Sequence, residues 1–187
     1  MAVETWKIDP SHTRAVFSVR HMMISNVHGQ FHNVTGTVNF DEAQPTRSSV
    51  DVQIEAASID TNDERRDGHL KSPDFLDAEH FPYLSFVSHR IEVVDSTHGR
   101  IYGDLTIRGV TREVVLATEY NGQAKGPYGS QSAGFTASAK LNRKDFGLTW
   151  NMGLETGGVL VGDTVNISIE LEIVKQGVPE VAALAVN

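Results

Sequence analysis

Eight histidines are the residues of this chain most able to do chemistry. His28 and His32 stand four apart in His28-Gly-Gln-Phe-His32, and on a strand that spacing turns both imidazoles to one side. A zinc site needs three or four converging ligands supported from behind, and no carboxylate or third histidine keeps a recognisable spacing with this pair. The expectation is therefore no metal, with histidines at the surface or hydrogen-bonded. His21 ends the apolar stripe of Phe17 and Val19, which places its polar tip either at a cavity mouth or in the core against a backbone carbonyl. Asp145-Phe146-Gly147 copies the magnesium triplet of protein kinases, but neither a glycine-rich phosphate loop nor a His-Arg-Asp loop accompanies it. Gly-x-Ser-x-Gly elbows, Walker loops and dinucleotide fingerprints are absent. The chain has no cysteine, which removes thiolate metal sites, disulfides and a cysteine nucleophile together. Acids at alternating positions, Asp51, Glu55, Glu170 and Glu172, read as solvated strand faces. No nucleophile and no cofactor motif emerges, so the chain reads as a non-enzyme.

The elements that must carry these residues belong to one domain: 187 residues, 40% hydrophobic and 21% charged, is an ordinary globular chain of single-domain length. A net charge of −8 repels phosphate backbones and argues against nucleic acid as a partner. The start shows no run of signal-peptide length, and no window reaches the ~18 apolar residues of a membrane span. As written, the chain is expected to be cytoplasmic and not membrane-spanning, or periplasmic or secreted if a leader has been removed.

Period-two alternation dominates. Val165, Ile167, Ile169, Leu171 and Ile173 interleave with polar residues over 164–173. The same pattern marks 50–56, 101–108, 13–21, 28–40, 83–94, 112–120 and 133–142, punctuated at Asp95–Gly99, Arg108–Thr111 and Asn121-Gly122. Eight long strands, each with one apolar face, fit an antiparallel barrel or a two-sheet sandwich. Small inward residues, Gly103, Ala137 and Ala139, favour the barrel with space inside.

Two stretches break the rhythm. Thr61-Asn62-Asp63-Glu64 spells a capping box, with a nearly all-polar helix following to Lys71. Only Leu70 is apolar in it, so the helix must lean on something else; Asp63–Arg66 and Asp67–Lys71 are its candidate ion pairs. Ser72-Pro73-Asp74 reads as a second helix start, extending the helical segment over about 62–78. The glycine-rich yet apolar stretch 147–162 is predicted to fold over the barrel end or line its mouth.

The remaining apolar side chains, Phe17, Val19, Phe31, Phe75, Phe81, Phe86, Phe135, Leu141, Phe146, Trp150 and Met152, exceed what a filled core needs. An eight-stranded barrel is just wide enough to be filled or to hold one guest. Strands of about ten residues at ~3.3 Å each, tilted ~40°, give a height of roughly 25 Å, suited to a long hydrocarbon.

Several blocks, in order along the chain, resemble one family. Trp6-Lys-Ile-Asp9-Pro-Ser-His12-Thr with Phe17-Ser-Val19-Arg20-His21-Met22, Ser58-Ile-Asp-Thr61, Arg66-Asp67-Gly-His69-Leu70-Lys-Ser72-Pro-Asp74-Phe75 and Phe81-Pro82 with Phe86 form the first half. Gly103-Asp-Leu-Thr-Ile-Arg-Gly109-Val-Thr111, Gly134-Phe135, Asn142-Arg143-Lys-Asp145-Phe146-Gly147 and Gly162-Asp163 follow. Together they are similar to the YceI-like family over about 6–175, leaving 176–187 as a tail. The resemblance implies an all-β, extended eight-stranded antiparallel lipocalin-like barrel whose pore holds a long isoprenoid or related amphiphile, often as a homodimer. Val34 and Leu76 stand where aromatic residues are expected, which implies a differently shaped cavity.

On this resemblance the polar helix gains two readings. Arg66, His69 and Lys71 meet a polar or pyrophosphate head at the mouth while the tail runs inward among Phe17, Phe31, Phe86, Phe135 and Trp150, or Arg66 and Asp67 only brace the barrel rim; Arg143 and Asp145 carry the same pair of readings. The leading function is binding, transport or sequestration of a long isoprenoid or quinone-like lipid. Two alternatives stay open: an enzyme acting on such a lipid, with His21, His69 and Asp67 as acid and base, and a filled barrel serving protein interaction.

Overall fold

Residues 3–176 are described by a computed structural model, in which the alternating segments form eleven strands. These are β1 (Glu4–Ile8), β2 (Arg14–His21), β3 (Ser25–Phe31), β4 (Val34–Phe40), β5 (Ser49–Glu55), β6 (Ile59–Asp60), β7 (Tyr83–Val93), β8 (His98–Ile107), β9 (Val110–Lys125), β10 (Gln131–Asn142) and β11 (Val161–Lys175). The eleven occupy eight places in the wall. β1 and β2 both run antiparallel to β11, with Trp6 opposite Lys175 and Phe17 opposite Ile167. They are therefore one wall position interrupted by the turn 9–13. β3 and β4 follow as the next, and β5 and β6 as the third. β7 to β11 complete the ring, which closes where β11 meets β1 and β2.

The expected strand 28–40 is thus two strands sharing one position, broken at His32-Asn33. β1 has no counterpart among the expected strands, because five residues are too short for alternation to stand out. Asn121-Gly122, read as a turn, lies inside β9 instead: Gly134 faces Gly122 while Phe135 faces Tyr120, so Asn121 is the extra residue of a bulge. Gly103 does not leave a void either. A Cβ there would collide with the ring of Phe86, so the glycine seats that ring against the wall.

One helix, α1 (Glu64–Lys71), crosses one end of the barrel. Its cap is Asp63, which accepts from the amides of Arg65 and Arg66 at 3.1 Å each, and not the expected Thr61–Glu64 box. Thr61 is unavailable because its amide and hydroxyl both donate to Asp67, at 2.9 and 2.6 Å. Asp67 accordingly pairs with Thr61 rather than with Lys71. The helical segment also stops earlier than 78: Ser72 closes α1 through its amide and hydroxyl on the His69 carbonyl, and Leu76 N–H returns to the Leu70 carbonyl, so 73–80 folds as turns.

The turn Met22–Ile24, the segment 61–82, the turn at Arg108-Gly109 and the segment 143–160 gather at this helix end. The segments 41–48, 94–97 and 126–130 lie at the far end. Trp6, Ile8, Val38, Phe40, Ala133 and Ile173 form a buried cluster toward the far end. A second cluster, including Ile59, Leu76, Leu84, Phe86, Ile107 and Phe146, packs toward the helix end. Asp145-Phe146-Gly147 serves there as the end of a 3-10 turn, with Phe146 buried and Gly147 at φ 75° as its cap.

Candidate functional site: the barrel cavity

Between the two clusters the barrel encloses a cavity of about 970 Å³, at the upper end of the range for small-molecule sites. Inward alternation builds its wall. Phe17, Val19, Phe31, Phe86, Phe135 and Leu141 line it from the strands, with Ala137 and Ala139 leaving width on β10. Phe75, Leu70 and Phe146 line it from the segments at the helix end, as do His21, Arg66, His69 and Trp150. Val34 and Leu76 are buried and also reach it. Two predicted site residues are elsewhere. Asp67 is turned onto Thr61, and Met152 stands 56% exposed outside the lining.

The helix end holds its shape by hydrogen bonds. Arg66 donates Nε to Thr61 Oγ1 and an Nη to the Thr61 carbonyl, both at 2.7 Å, so the Arg66–Thr61–Asp67 group ties α1 to the end of β6. His69 Nε2 lies 2.8 Å from Asp74, and its ring meets Phe75 and Trp150 edge-on, with centroids at 5.0 and 4.6 Å. Arg143 is buried and donates to the carbonyls of Gly162 (2.8 Å), Leu148 (2.6 Å) and Trp150 (2.9 Å), with Asp163 3.6 Å away. Burial pushes its pKa down from the usual guanidinium value. This arginine clamps the glycine-rich segment, whose Leu148, Trp150, Leu160 and Val161 line the cavity while 153–159 turns outward. His21, His69 and Asp67, the acid and base candidates, do not converge on one point: His69 is on Asp74 and Asp67 on Thr61.

Polar residues at the two ends of the lining differ in sign. At the helix end they include Arg20, Arg65 and Arg66 against Asp63. At the far end they include Glu42, Glu92 and Asp95 with His98. Backbone amides of Thr97 and His98 hold the Asp95 carboxyl well below the usual carboxylate range, and the Tyr102 hydroxyl lowers that of Glu92. These acids therefore stay ionised. Arg20 and Arg65 were missed in the sequence, although α1 offered a signal: Arg65, Arg66, His69 and Leu70 fall on one helical face, and Leu70 marks it as the inner one.

Outside the cavity, among the described residues, Asp9, His12 and Glu172 bring three possible ligand atoms within 4.8 Å of one another. Asp9 already accepts from Ser11 and pairs with His12 at 2.9 Å, so the group locks the turn between β1 and β2. Ser11 and His12 lower the Asp9 pKa to about 2, and Asp9 raises that of His12. The pair singled out earlier does not converge, since His32 binds Asp60.

Known proteins match both the sequence and the barrel. A "UPF0312 protein" of Pseudomonas putida (strain W619) is 35% identical over 178 residues, covering 94% of this chain and 88% of its own. A protein so named in Staphylococcus aureus (strain MSSA476) is 34% identical over 165 residues, 88% of this chain and 94% of its own. The crystal structure of the Campylobacter jejuni YceI protein superposes with a TM-score of 0.72 at 34% identity, covering 84% of this chain and 90% of that one. A polyisoprenoid-binding domain from Saccharophagus degradans shares the fold at a TM-score of 0.64 and 10% identity, covering 94% and 100%. No helix of the described residues is long and apolar enough to cross a membrane. The family model described as "YceI-like domain" aligns with residues 6–173, nearly the whole ring of strands, and this chain belongs to the YceI-like family.

Proposed function

We infer that this protein is a non-enzymatic carrier or sequestering protein for a long isoprenoid or related amphiphile, with the tail inside the barrel and an anionic head at the helix end. The observation that carries this reading is the cavity itself, about 970 Å³ and walled mainly by apolar side chains. Burying ~20 carbons at ~0.8 kcal/mol each yields roughly 16 kcal/mol gross, against ~4–15 kcal/mol for association and ordering. A long tail is thus sufficient for useful affinity. The lining residues support the orientation: at the far end they are Glu42, Asp95 and Glu92, the last paired with Arg90 and Arg100, and at the helix end Arg20, Arg65 and Arg66 stand with the single acid Asp63, which favours a phosphate there. The shared fold with a polyisoprenoid-binding domain points to the same class of guest.

Native mass spectrometry of gently purified protein, followed by titration with a fluorescent long-chain prenyl alcohol and its phosphate, tests the reading. The expected result is one probe per chain, the phosphate tighter, and uptake abolished by Ala137→Trp with Ala139→Trp in a protein that still folds. A wild-type protein that takes up neither probe would overturn it.

A further inference from the structure

The apolar lining of the cavity stops short of the far end. Phe40, Tyr120 and Phe135 all line it and meet there as one group, with ring centroids 5.7 Å apart from Phe40 to Tyr120, 5.4 Å from Phe40 to Phe135 and 5.2 Å from Tyr120 to Phe135. Phe40 stands on β4 and Tyr120 on β9, and three wall strands separate the two whichever way the ring is followed: β5, β7 and β8, or β1, β11 and β10. Rings that touch from opposite walls form a bridge across the bore. The bridge is fixed on both sides: buried Trp6 meets the Phe40 ring at 6.0 Å and 75°, and the Tyr120 hydroxyl donates to Glu42 at 2.8 Å. Around it, on the segment 41–48 and the turn between β7 and β8, the lining is mainly polar, with Glu42, Ser48, Asp95, Thr97 and His98. Toward the mouth the same face of β10 opens at once, with Ala137 and Ala139 before Leu141.

We propose that this aromatic bridge is the stop that sets the longest tail the barrel accepts, with Phe135 as the deciding residue, so that the protein selects its guest by hydrocarbon length. The inference rests on the carrier reading above and adds an upper limit to it. A hydrocarbon end that passed the bridge would lie among groups that hold water, and stripping them of it costs more than the tail gains. Hydrocarbon is therefore welcome only on the mouth side of the rings. From Leu141 to Phe135 the wall descends six residues, about 15 Å along the axis at ~3.3 Å per residue and ~40° tilt. The width left by Ala137 and Ala139 lets a longer tail fold back within that depth, so the bridge limits capacity. At roughly 30 Å³ per carbon group, close to the share of one water in the liquid, a cavity of about 970 Å³ takes about thirty carbons, or about six isoprene units. A phenyl ring has nearly the bulk of one such unit, so the ring of Phe135 is worth about one unit of tail.

The test equilibrates the full chain with detergent micelles carrying equal amounts of all-trans prenyl alcohols, one isoprene unit apart from farnesol to solanesol, and reads the bound lengths by native mass spectrometry. Micelles shelter every tail alike, so the lengths retained report fit rather than hydrophobicity. In wild type, binding is expected to fall roughly tenfold or more for each unit beyond about the sixth, because those carbons are left to water. Phe135→Ala should move this limit about one unit longer, and Ala137→Phe, which sets a ring one step nearer the mouth on the same strand face, about one unit shorter. Where the ring deletion fails to fold, the shortening in Ala137→Phe decides alone. Wild type holding all lengths alike, or a limit that stays in place in the folded variants, would overturn the proposal and leave the carrier reading standing. Wild type holding no prenyl alcohol of any length would remove the carrier reading, and this inference with it.

Discussion

At the far end of the barrel Trp6, Phe40, Tyr120 and Phe135 interlock with ring centroids 5.2–6.0 Å apart, whereas the helix end is closed by a polar helix, a glycine-rich segment and a short turn. The first closure is held by buried apolar surface, with Trp6 at 1% exposure. The second is held by hydrogen bonds from Arg66, Asp67 and Arg143 to backbone and Thr61. Dense ring packing leaves few alternative arrangements, while a segment tied at a handful of polar points opens at lower cost. On the proposed reading, stability belongs to one end and passage of the guest to the other.

Substitutions at the two ends should therefore separate stability from binding. Trp6→Ala is expected to cost about 3–5 kcal/mol, a fall of roughly 10 °C in melting temperature, while the folded fraction still takes up a prenyl probe; a calorimetric scan beside a titration checks both. Loss of uptake with stability intact would invert the assignment. Arg143→Met removes the clamp on four carbonyls, those of Leu148, Trp150, Val161 and Gly162, and should cost about 3 kcal/mol, with hydrogen exchange rising first over 147–162. Arg65→Glu should leave the melting temperature unchanged and weaken an anionic-headed probe roughly tenfold, about 1.4 kcal/mol, with the uncharged alcohol hardly affected. Thr61→Val deprives Arg66 and Asp67 of their shared hydroxyl and should cost about 1 kcal/mol, loosening α1 without disturbing the far cluster.

The smallest effect lies in the wall between the ends. Asp9, with a pKa of about 2 in the folded chain, is lowered from the ordinary 3.8, so its contribution is full above pH 4 and fades as the pH drops toward 2. His12 has the opposite sign: its pKa is raised, so its contribution is present below pH 6.5 and disappears as the pH rises through the folded value. Because the pair is solvent-facing, denaturation of Asp9→Asn at pH 5 should show a deficit under about 1 kcal/mol, less in high salt.

Much of this was legible beforehand. Alternation over ten or more residues reports a local fact, which side of the pleat is apolar, and so the long strands β7 to β11 and the lining of Phe17, Phe31, Phe86 and Phe135 could be read directly. The short strand β1 and the breaks within shared wall positions could not, because they are set by which neighbour each strand finds in β11. Likewise the polar character of α1 was plain, but not which of its cations serve as braces. Leu70 marks the inner face of the helix but does not say which cation on that face is a brace; that is decided by Thr61, which draws Arg66 and Asp67 to itself and leaves Arg65 to the cavity lining.

The sequence by itself determined the alternating faces, the excess of apolar side chains and the charge, since each depends only on residue type and spacing. Only the tertiary structure decided that Gly103 seats a ring, that Asp63 and not Thr61 caps the helix, and that Arg20, Arg65 and Arg66 line one end of the cavity while Glu42, Glu92 and Asp95 line the other. Those outcomes depend on partners far apart in the chain, and the closing of the ring is what brings them together.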